Sequence, residues 1–196
     1  MTALVDSTLP LYEGIQLADV YLVQSAADAS AALVALMATD ALGFDTESKP
    51  TFAKGEVSTG PHLIQLATDD KAYLFPLTGR PALDGLRVIL ESPQVLKVGF
   101  GLRDDLRRLQ TKLGISSVNI LDLAIALRQG KRADVGAKTA VVRLFGQRLR
   151  KSKKTSTTNW SNPRLTERQM LYAANDAQVA LRVYRSWRQG SATVPA

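Results

Sequence analysis

The feature that most constrains this sequence is the order of its strand-like and helix-like segments. Short apolar runs typical of strands come early, at about 20–23, 41–47 (ALGFDTE), 62–68 (HLIQLAT) and 71–77 (KAYLFPL). Asp69 and Asp70 separate the last two runs, which predicts a hairpin and therefore an antiparallel pair. Further strand patterns at 95–100 and 119–123 alternate with helices, as parallel strands require.

Helical periodicity fills the remaining segments. Ser25 is predicted to cap a helix that runs to Met37, and Thr166 to cap a long helix that ends near Gln189. Other helices are predicted at about 81–90, 102–113, 122–129 and 137–145. The order predicts an α/β domain of three layers, with a mixed central β-sheet flanked by helices on both faces.

Length and composition fit one soluble domain. The chain has 196 residues, of which 45% are hydrophobic and 22% charged, and no internal repeat or linker is visible. It lacks an apolar run of the ~18–20 residues that span a bilayer, and residues 1–14 lack the basic and apolar regions of a signal peptide. We therefore expect a single domain over 1–196, no contact with membranes and a cytoplasmic location.

The residue types present restrict the chemistry. The chain has no Cys and one His, which excludes thiolate nucleophiles, zinc sites built on Cys, and sites that need several imidazoles. A metal site here must use mainly oxygen ligands, and these favour hard cations such as Mg²⁺ or Mn²⁺.

Charge is distributed unevenly along the sequence. Residues 1–96 contain 5 Lys and Arg against 12 Asp and Glu, whereas residues 97–168 contain 17 against 5. A basic block of this size is typical of a surface that binds a polyanion, although a solvated surface gives the same pattern.

Three sites place carboxylates where a fold does not ordinarily accept them. The first is Asp45-Thr46-Glu47, at the end of a predicted strand. Side chains alternate along a strand, so Asp45 and Glu47 share a face and lie roughly 6.6 Å apart along it. Such a pair repels unless a cation lies between the two groups, but a strand running out into solvent is the more common explanation.

The second site lies in the helix predicted over 102–113, whose apolar stripe starts at Leu102. At ~100° per residue, Asp105 is about 60° from the centre of this stripe and Asp104 about 160°. Asp104 is therefore predicted to face solvent and Asp105 to lie at the edge of the buried face, where Arg108 or Arg103 could also pair with it.

The third site is in the long last helix, where Tyr172 and Asp176 are four residues apart and share its apolar face. A buried aspartate is costly unless it is paired or binds a metal, so a simple Tyr–Asp hydrogen bond remains an alternative.

Together, Asp45, Glu47, Asp105 and Asp176 would form a cluster of four carboxylates. Such a cluster suits two divalent cations roughly 3.5–4 Å apart, the arrangement used for in-line displacement at phosphorus. Tyr172 could orient the attacking water.

At these residues the sequence resembles the DEDD superfamily of 3′–5′ exonucleases, in its tyrosine-bearing branch, which includes ribonuclease D and the Werner-type exonuclease domain. GFDTES (43–48), VGFGLRDDLRRL (98–109) and LTERQMLYAANDAQVALRVY (165–184) match its three motifs in order, and KSKKTSTTNW (151–160) resembles the Werner-type stretch before the third. The resemblance covers about residues 20–188.

The resemblance implies a ribonuclease H-like fold, two Mg²⁺ or Mn²⁺ ions, hydrolysis from the 3′ end of RNA or single-stranded DNA, and release of nucleoside 5′-monophosphates. It assigns catalysis to Asp45, Glu47, Asp105, Tyr172 and Asp176, with the four carboxylates as metal ligands. A catalytically silent nucleic-acid-binding module on the same fold is the main alternative, and an adaptor for an acidic protein is another.

A basic segment precedes the last helix and is predicted to bind the phosphates of the strand beside the active site. It contains Arg148, Arg150, Lys151, Lys153 and Lys154. None of its lysines is expected to touch the metal. The nearby Trp160 is predicted to lie in the core or at its boundary, where an exposed ring would stack on a base.

Overall fold

A computed structural model describes residues 8–51, 55–78, 82–130 and 133–192 of the protein. The strands are β1 (Val20–Leu22), β2 (Ala41–Glu47), β3 (Leu63–Ala67), β4 (Ala72–Pro76), β5 (Leu96–Gly99) and β6 (Ile120–Asp122). The helices are α1 (Ala26–Met37), α2 (Leu83–Leu90), α3 (Arg103–Arg108), α4 (Leu123–Ala126), α5 (Ala137–Phe145), α6 (Lys153–Ser156) and α7 (Glu167–Ala192). A 3₁₀ turn (Leu17–Asp19) precedes β1, and a π-helical stretch (Leu109–Leu113) continues α3.

The six strands form one mixed sheet in the order β1-β4-β3-β2-β5-β6. Strand β3 pairs antiparallel with β2 and β4, whereas the other neighbouring strands pair in parallel. The predicted hairpin at Asp69-Asp70 is thus confirmed. Strand β2 lies near the middle of the sheet, so its carboxyl end is flanked by elements from both halves of the chain.

Helices cover both faces of the sheet, as the alternation along β2 requires. Leu42 and Phe44 pack with α1, α2 and Leu109 in one apolar cluster. On the other face, β3 and β4 pack against the small residues Ala173, Ala174 and Ala177 of α7. The prediction of a three-layer α/β fold is confirmed.

Most predicted elements are confirmed within a few residues. Strand β2 spans the predicted 41–47, Ser25 caps α1 through a capping box, and Thr166 accepts a hydrogen bond from Gln169 N–H before α7. The helix predicted over 102–113 is wrong in one respect, because its second half is π-helical and ends at Gly114 in the left-handed region. The sequence also did not predict α6, which Ser152 caps by accepting from Thr155 N–H. The predicted helix start at Pro81, and residues 52–54 of a predicted loop, lie outside the described residues.

Before β1, residues 10–16 form a strap across the edge of α7. Its Tyr12 N–H donates to Arg148 O at 3.0 Å, and Arg148 N–H donates to Pro10 O at 2.8 Å. Ile15 N–H donates to Asn175 Oδ1 at 3.0 Å. The strap therefore ties the start of the basic segment, at Arg148, to the helix that carries Asp176.

In the described part of the chain, no helix combines the length and the apolar character needed to cross a membrane.

Candidate active site

A close approach of α7 to β2 brings acidic residues from both elements together. Gly43 has no side chain, and a Cβ at that position would lie 1.9 Å from Ala177 O. Asp45 and Glu47 follow on the same face of β2. Residue 43 must therefore be glycine for Asp176, the neighbour of Ala177, to reach Asp45.

Carboxylate oxygens of Asp45, Glu47 and Asp176 all lie within 4.8 Å of one another. Asp176 is buried, and the other two are partly exposed at the mouth of the site. Three hard oxygen donors at this separation fit a divalent cation such as Mg²⁺ or Mn²⁺. The structure thus brings together three of the four predicted metal ligands.

Asp105 lies beside this group and is held by different contacts. Its Oδ1 accepts a hydrogen bond from Thr46 Oγ1 at 2.6 Å and lies 3.4 Å from Arg108 Nη2. The Thr46 side chain points to the face of β2 opposite Asp45 and Glu47, so Asp105 approaches the strand end from the α3 side. Asp105 is thus both buried and paired with Arg108, one of the two arginines that the sequence left open as partners.

The predicted contrast between the two adjacent aspartates is confirmed. Asp105 is 9% exposed, whereas the side chain of Asp104 is 63% exposed and pairs with Arg107 at 3.1 Å.

Asp122, which the sequence analysis did not single out, positions the loop that leads to Asp105. Its carboxylate accepts from Gly101 N–H and Leu102 N–H, each at 2.9 Å, and also caps α4. An acidic residue between a strand and a helix is the only sequence signal for this role.

The electrostatics of the site indicate carboxylates that lack a sufficient counter-charge. Burial, followed by repulsion from Asp45, raises the pKa of Glu47 to about 9. Burial also raises the pKa of Asp45 and of Asp176. A divalent cation would reverse these shifts, because it favours the ionised form of every ligand.

Tyr172 lies one helical turn before Asp176, and the charge of the Asp176 carboxylate acts on its hydroxyl. Its ring packs against Trp160 with the ring centroids 6.1 Å apart. Burial, together with the charges of Asp176 and Glu47, raises the pKa of the hydroxyl. The group therefore remains protonated at neutral pH and acts as a hydrogen-bonding group.

Lys151 of the basic segment reaches the carboxylate group directly. Its Nζ is 3.0 Å from Asp176 Oδ2, so one residue of the basic segment contacts a carboxylate of the site, a contact that the sequence did not predict. Burial alone would lower the pKa of Lys151, but the carboxylates of Asp176, Asp45 and Glu47 outweigh it and raise the pKa. The sequence gives no periodic relation between position 151 and β2, so only the tertiary fold reveals this contact.

The other basic residues remain outside the carboxylate group. Arg150, Lys153 and Lys154 are exposed, and Arg148 is partly buried where its backbone pairs with the strap. Trp160 is 2% exposed and donates from Nε1 to Ser156 O, so it is a core residue with no face open for a base.

Ionisation of Glu47 predicts a pH dependence of stability in the metal-free protein. The folded state holds this proton up to about pH 9, whereas an ordinary Glu releases it near 4.5, so rising pH between these values opposes folding. In chelator, the melting temperature of the wild type should therefore fall, relative to that of Glu47→Gln, as the pH rises through this range. Parallel stability curves for the two proteins would contradict the electrostatic account.

Comparison with solved structures defines the class of protein. The Aedes aegypti Nibbler EXO domain matches with a TM-score of 0.77 and 25% identity, over 91% of this chain and 92% of that one. Escherichia coli RNase D, an exoribonuclease, matches with a TM-score of 0.74 and 24% identity, over 92% of this chain and 46% of that one. The fold is that of the ribonuclease H-like exonuclease domains of the DEDD type.

The sequence comparison identifies the family. The family model for 3′–5′ exonucleases matches residues 20–189, so the chain belongs to the 3′–5′ exonuclease family, a family of hydrolases. It is 31% identical over 149 residues to the bifunctional 3′–5′ exonuclease/ATP-dependent helicase WRN of Mus musculus. That match covers 74% of this chain and only 11% of the mouse protein.

Proposed function

We propose that the protein is a 3′–5′ exonuclease that hydrolyses phosphodiester bonds of RNA or single-stranded DNA by a two-metal mechanism and releases nucleoside 5′-monophosphates. The observation that carries this proposal is the group of Asp45, Glu47 and Asp176 carboxylates within 4.8 Å of one another, with Asp105 beside it. Membership of the family supplies the reaction class.

The four carboxylates would hold the two cations, Mg²⁺ or Mn²⁺, from three elements of the fold. When bound, such ions neutralise the phosphodiester, activate water and stabilise the leaving oxygen. Asp45 and Glu47 approach from β2, Asp176 from α7 and Asp105 from α3, so the ligand set encloses the end of β2 from both faces of the sheet. The protonated Tyr172 hydroxyl, one helical turn before Asp176, would orient the attacking water.

Digestion of 5′-labelled RNA and DNA of matched sequence tests this proposal. Both series should run from two to about twenty nucleotides, with Mg²⁺, with Mn²⁺ and with chelator, because contacts to a single 2′-hydroxyl decide between the substrates. We expect stepwise shortening from the 3′ end that requires a divalent cation. Binding without nucleotide release would instead establish the catalytically silent module.

Tyr172→Phe removes one hydroxyl and retains the ring that packs on Trp160. Contributions of this kind are typically about 10²–10⁴-fold, so we expect a loss of that size in turnover with nearly unchanged affinity for the strand. Single-turnover kinetics at saturating oligonucleotide measure it. A variant within about twofold of the wild type would reduce Tyr172 to a structural residue, because that change is far below the range expected for such a contribution.

We propose that the exposed part of the basic segment binds the phosphates of the strand. Lys153 and Lys154 lie in α6, whose Thr155 accepts from Arg168 Nε at 3.0 Å, and this contact fixes the segment beside the start of α7. Each phosphate contact on a single strand adds about −0.7 to the slope of log affinity against log salt.

The double variant Lys153→Ala/Lys154→Ala should therefore flatten that slope by up to about 1.4, as measured by fluorescence anisotropy at several salt concentrations. Lys71→Ala, at the opposite end of the sheet, is the control and should leave the slope unchanged. An unchanged slope in the double variant would assign these lysines to the solvated surface.

A further inference from the structure

The ammonium group of Lys151 contacts one of the carboxylates, Asp176, that are proposed to bind a metal cation. Its Nζ is 3.0 Å from Asp176 Oδ2, and this aspartate side chain is only 6% exposed. Asp45 and Glu47 also act on Lys151 electrostatically. One cation that belongs to the chain thus already contacts Asp176 and acts electrostatically on the other two carboxylates of the group.

The backbone of Lys151 is fixed on both sides, so any movement of the ammonium is confined to the side chain. On one side, the strap pairs with Arg148 through two backbone hydrogen bonds. On the other, the Ser152 side chain caps α6 and accepts a bond from Arg168 Nη2 at 3.1 Å.

A second environment for this side chain adjoins the site. A basic cavity of about 310 Å³ is lined by Lys138, Arg148, Leu149, Arg150, Lys151 and Ser152. Lys138 and Arg150 are exposed there, and among the described residues no carboxylate lines the cavity. The positive charges around this cavity would repel the Lys151 ammonium unless an anion such as a phosphate were bound there.

We propose that Lys151 is the resident cation of the metal-free site, that divalent cations displace its ammonium from Asp176, and that the released side chain turns into the basic cavity to contact a phosphate of the strand. This proposal rests on the proposed function, because it requires cations at Asp45, Glu47 and Asp176. Like charges close together repel, so a divalent cation ligated by Asp176 and the Lys151 ammonium compete for the same oxygens. Metal binding would then prepare the basic cavity for nucleic acid.

Pulsed acetylation read by mass spectrometry tests the displacement directly. In chelator, Lys151 should be protected by its ion pair, whereas the exposed Lys153 and Lys154 react freely. With Mg²⁺ or Mn²⁺ and no nucleic acid, the reactivity of Lys151 should rise toward that of Lys153 and Lys154, whose own reactivity stays constant. Equal protection of Lys151 with and without metal would overturn the proposal.

Calorimetric titration of metal into Lys151→Gln, again without nucleic acid, tests the competition. If the ammonium occupies the site about nine-tenths of the time, its removal should tighten metal binding about tenfold. Lys153→Gln is the matched control two residues away and should bind metal like the wild type. Unchanged or weaker metal binding by Lys151→Gln would contradict the competition. A second variant, Lys151→Met, and thermal unfolding of both variants check that any change in binding is not caused by misfolding.

The two proposals fail in different ways. A wild type that binds no divalent cation would overturn the proposed function and this inference together. A wild type that binds metal and releases nucleotides while Lys151 remains protected would overturn this inference alone.

Discussion

Asp45→Asn should abolish nucleotide release while leaving the fold intact. Asp45 is one of the three carboxylates, with Glu47 on its own strand and Asp176 on α7, whose oxygens lie within 4.8 Å of one another. An amide has the shape of the carboxylate but not its charge, so it would bind the proposed divalent cations far more weakly. Gel analysis of a 5′-labelled oligonucleotide in Mg²⁺ measures the loss, and Asp70→Asn, in the hairpin turn, is the control.

The same variant should be more stable than the wild type in chelator. Removing the charge of Asp45 relieves its repulsion with Asp176 and Asp105 and removes the cost of burying a carboxylate. Thermal unfolding in chelator measures this gain. Separately, full activity of the wild-type protein in excess chelator would refute the two-metal mechanism.

Asp105→Asn and Asp104→Asn should differ by orders of magnitude in turnover, although the residues are adjacent. Asp105 is buried beside the ligand group and accepts from Thr46 Oγ1. Asp104 forms an ion pair with Arg107 in which both side chains are more than half exposed, and such pairs contribute little. Single-turnover rates of the two variants, under the same saturating conditions, make each the control of the other.

Equal losses in the two aspartate variants would indicate that Asp105 acts only through the stability of α3. Restoration of activity in Asp105→Asn by a higher Mn²⁺ concentration would instead identify Asp105 as a ligand, because weakened binding is compensated by mass action.

Local patterns were sufficient to predict the sheet and the orientation of Asp105. Strand β2 has an uninterrupted apolar start, and the leucines at 102 and 109 define which side of α3 is buried. These features depend on residues two to four positions apart, where strand and helix periodicity applies. The change to a π-helix at Leu109 was not predictable, because it leaves the spacing of the apolar residues unaltered.

The parts of the site that the sequence could not predict all depend on contacts between distant residues. The ion pair of Lys151 with Asp176 and the bond of Thr46 to Asp105 join elements with no shared periodicity. Gln65 is a further example: it is fully buried opposite Asp45 on β3, and its amide has no hydrogen-bonding partner among the residues that the structure describes. The presence of a glutamine in a strand pattern does not indicate that its side chain is buried without a partner.

The strap limits where the domain can be cut for transfer into another protein. The family model begins at residue 20, after the strap has already paired with Arg148 and Asn175. A shortened chain cut at that boundary would retain every strand and all four carboxylates of the proposed site. It would lose the backbone contacts that hold the segment carrying Lys151. Chimeras assembled from family boundaries alone would therefore inherit the four carboxylates without the backbone contacts that hold the segment bearing Lys151.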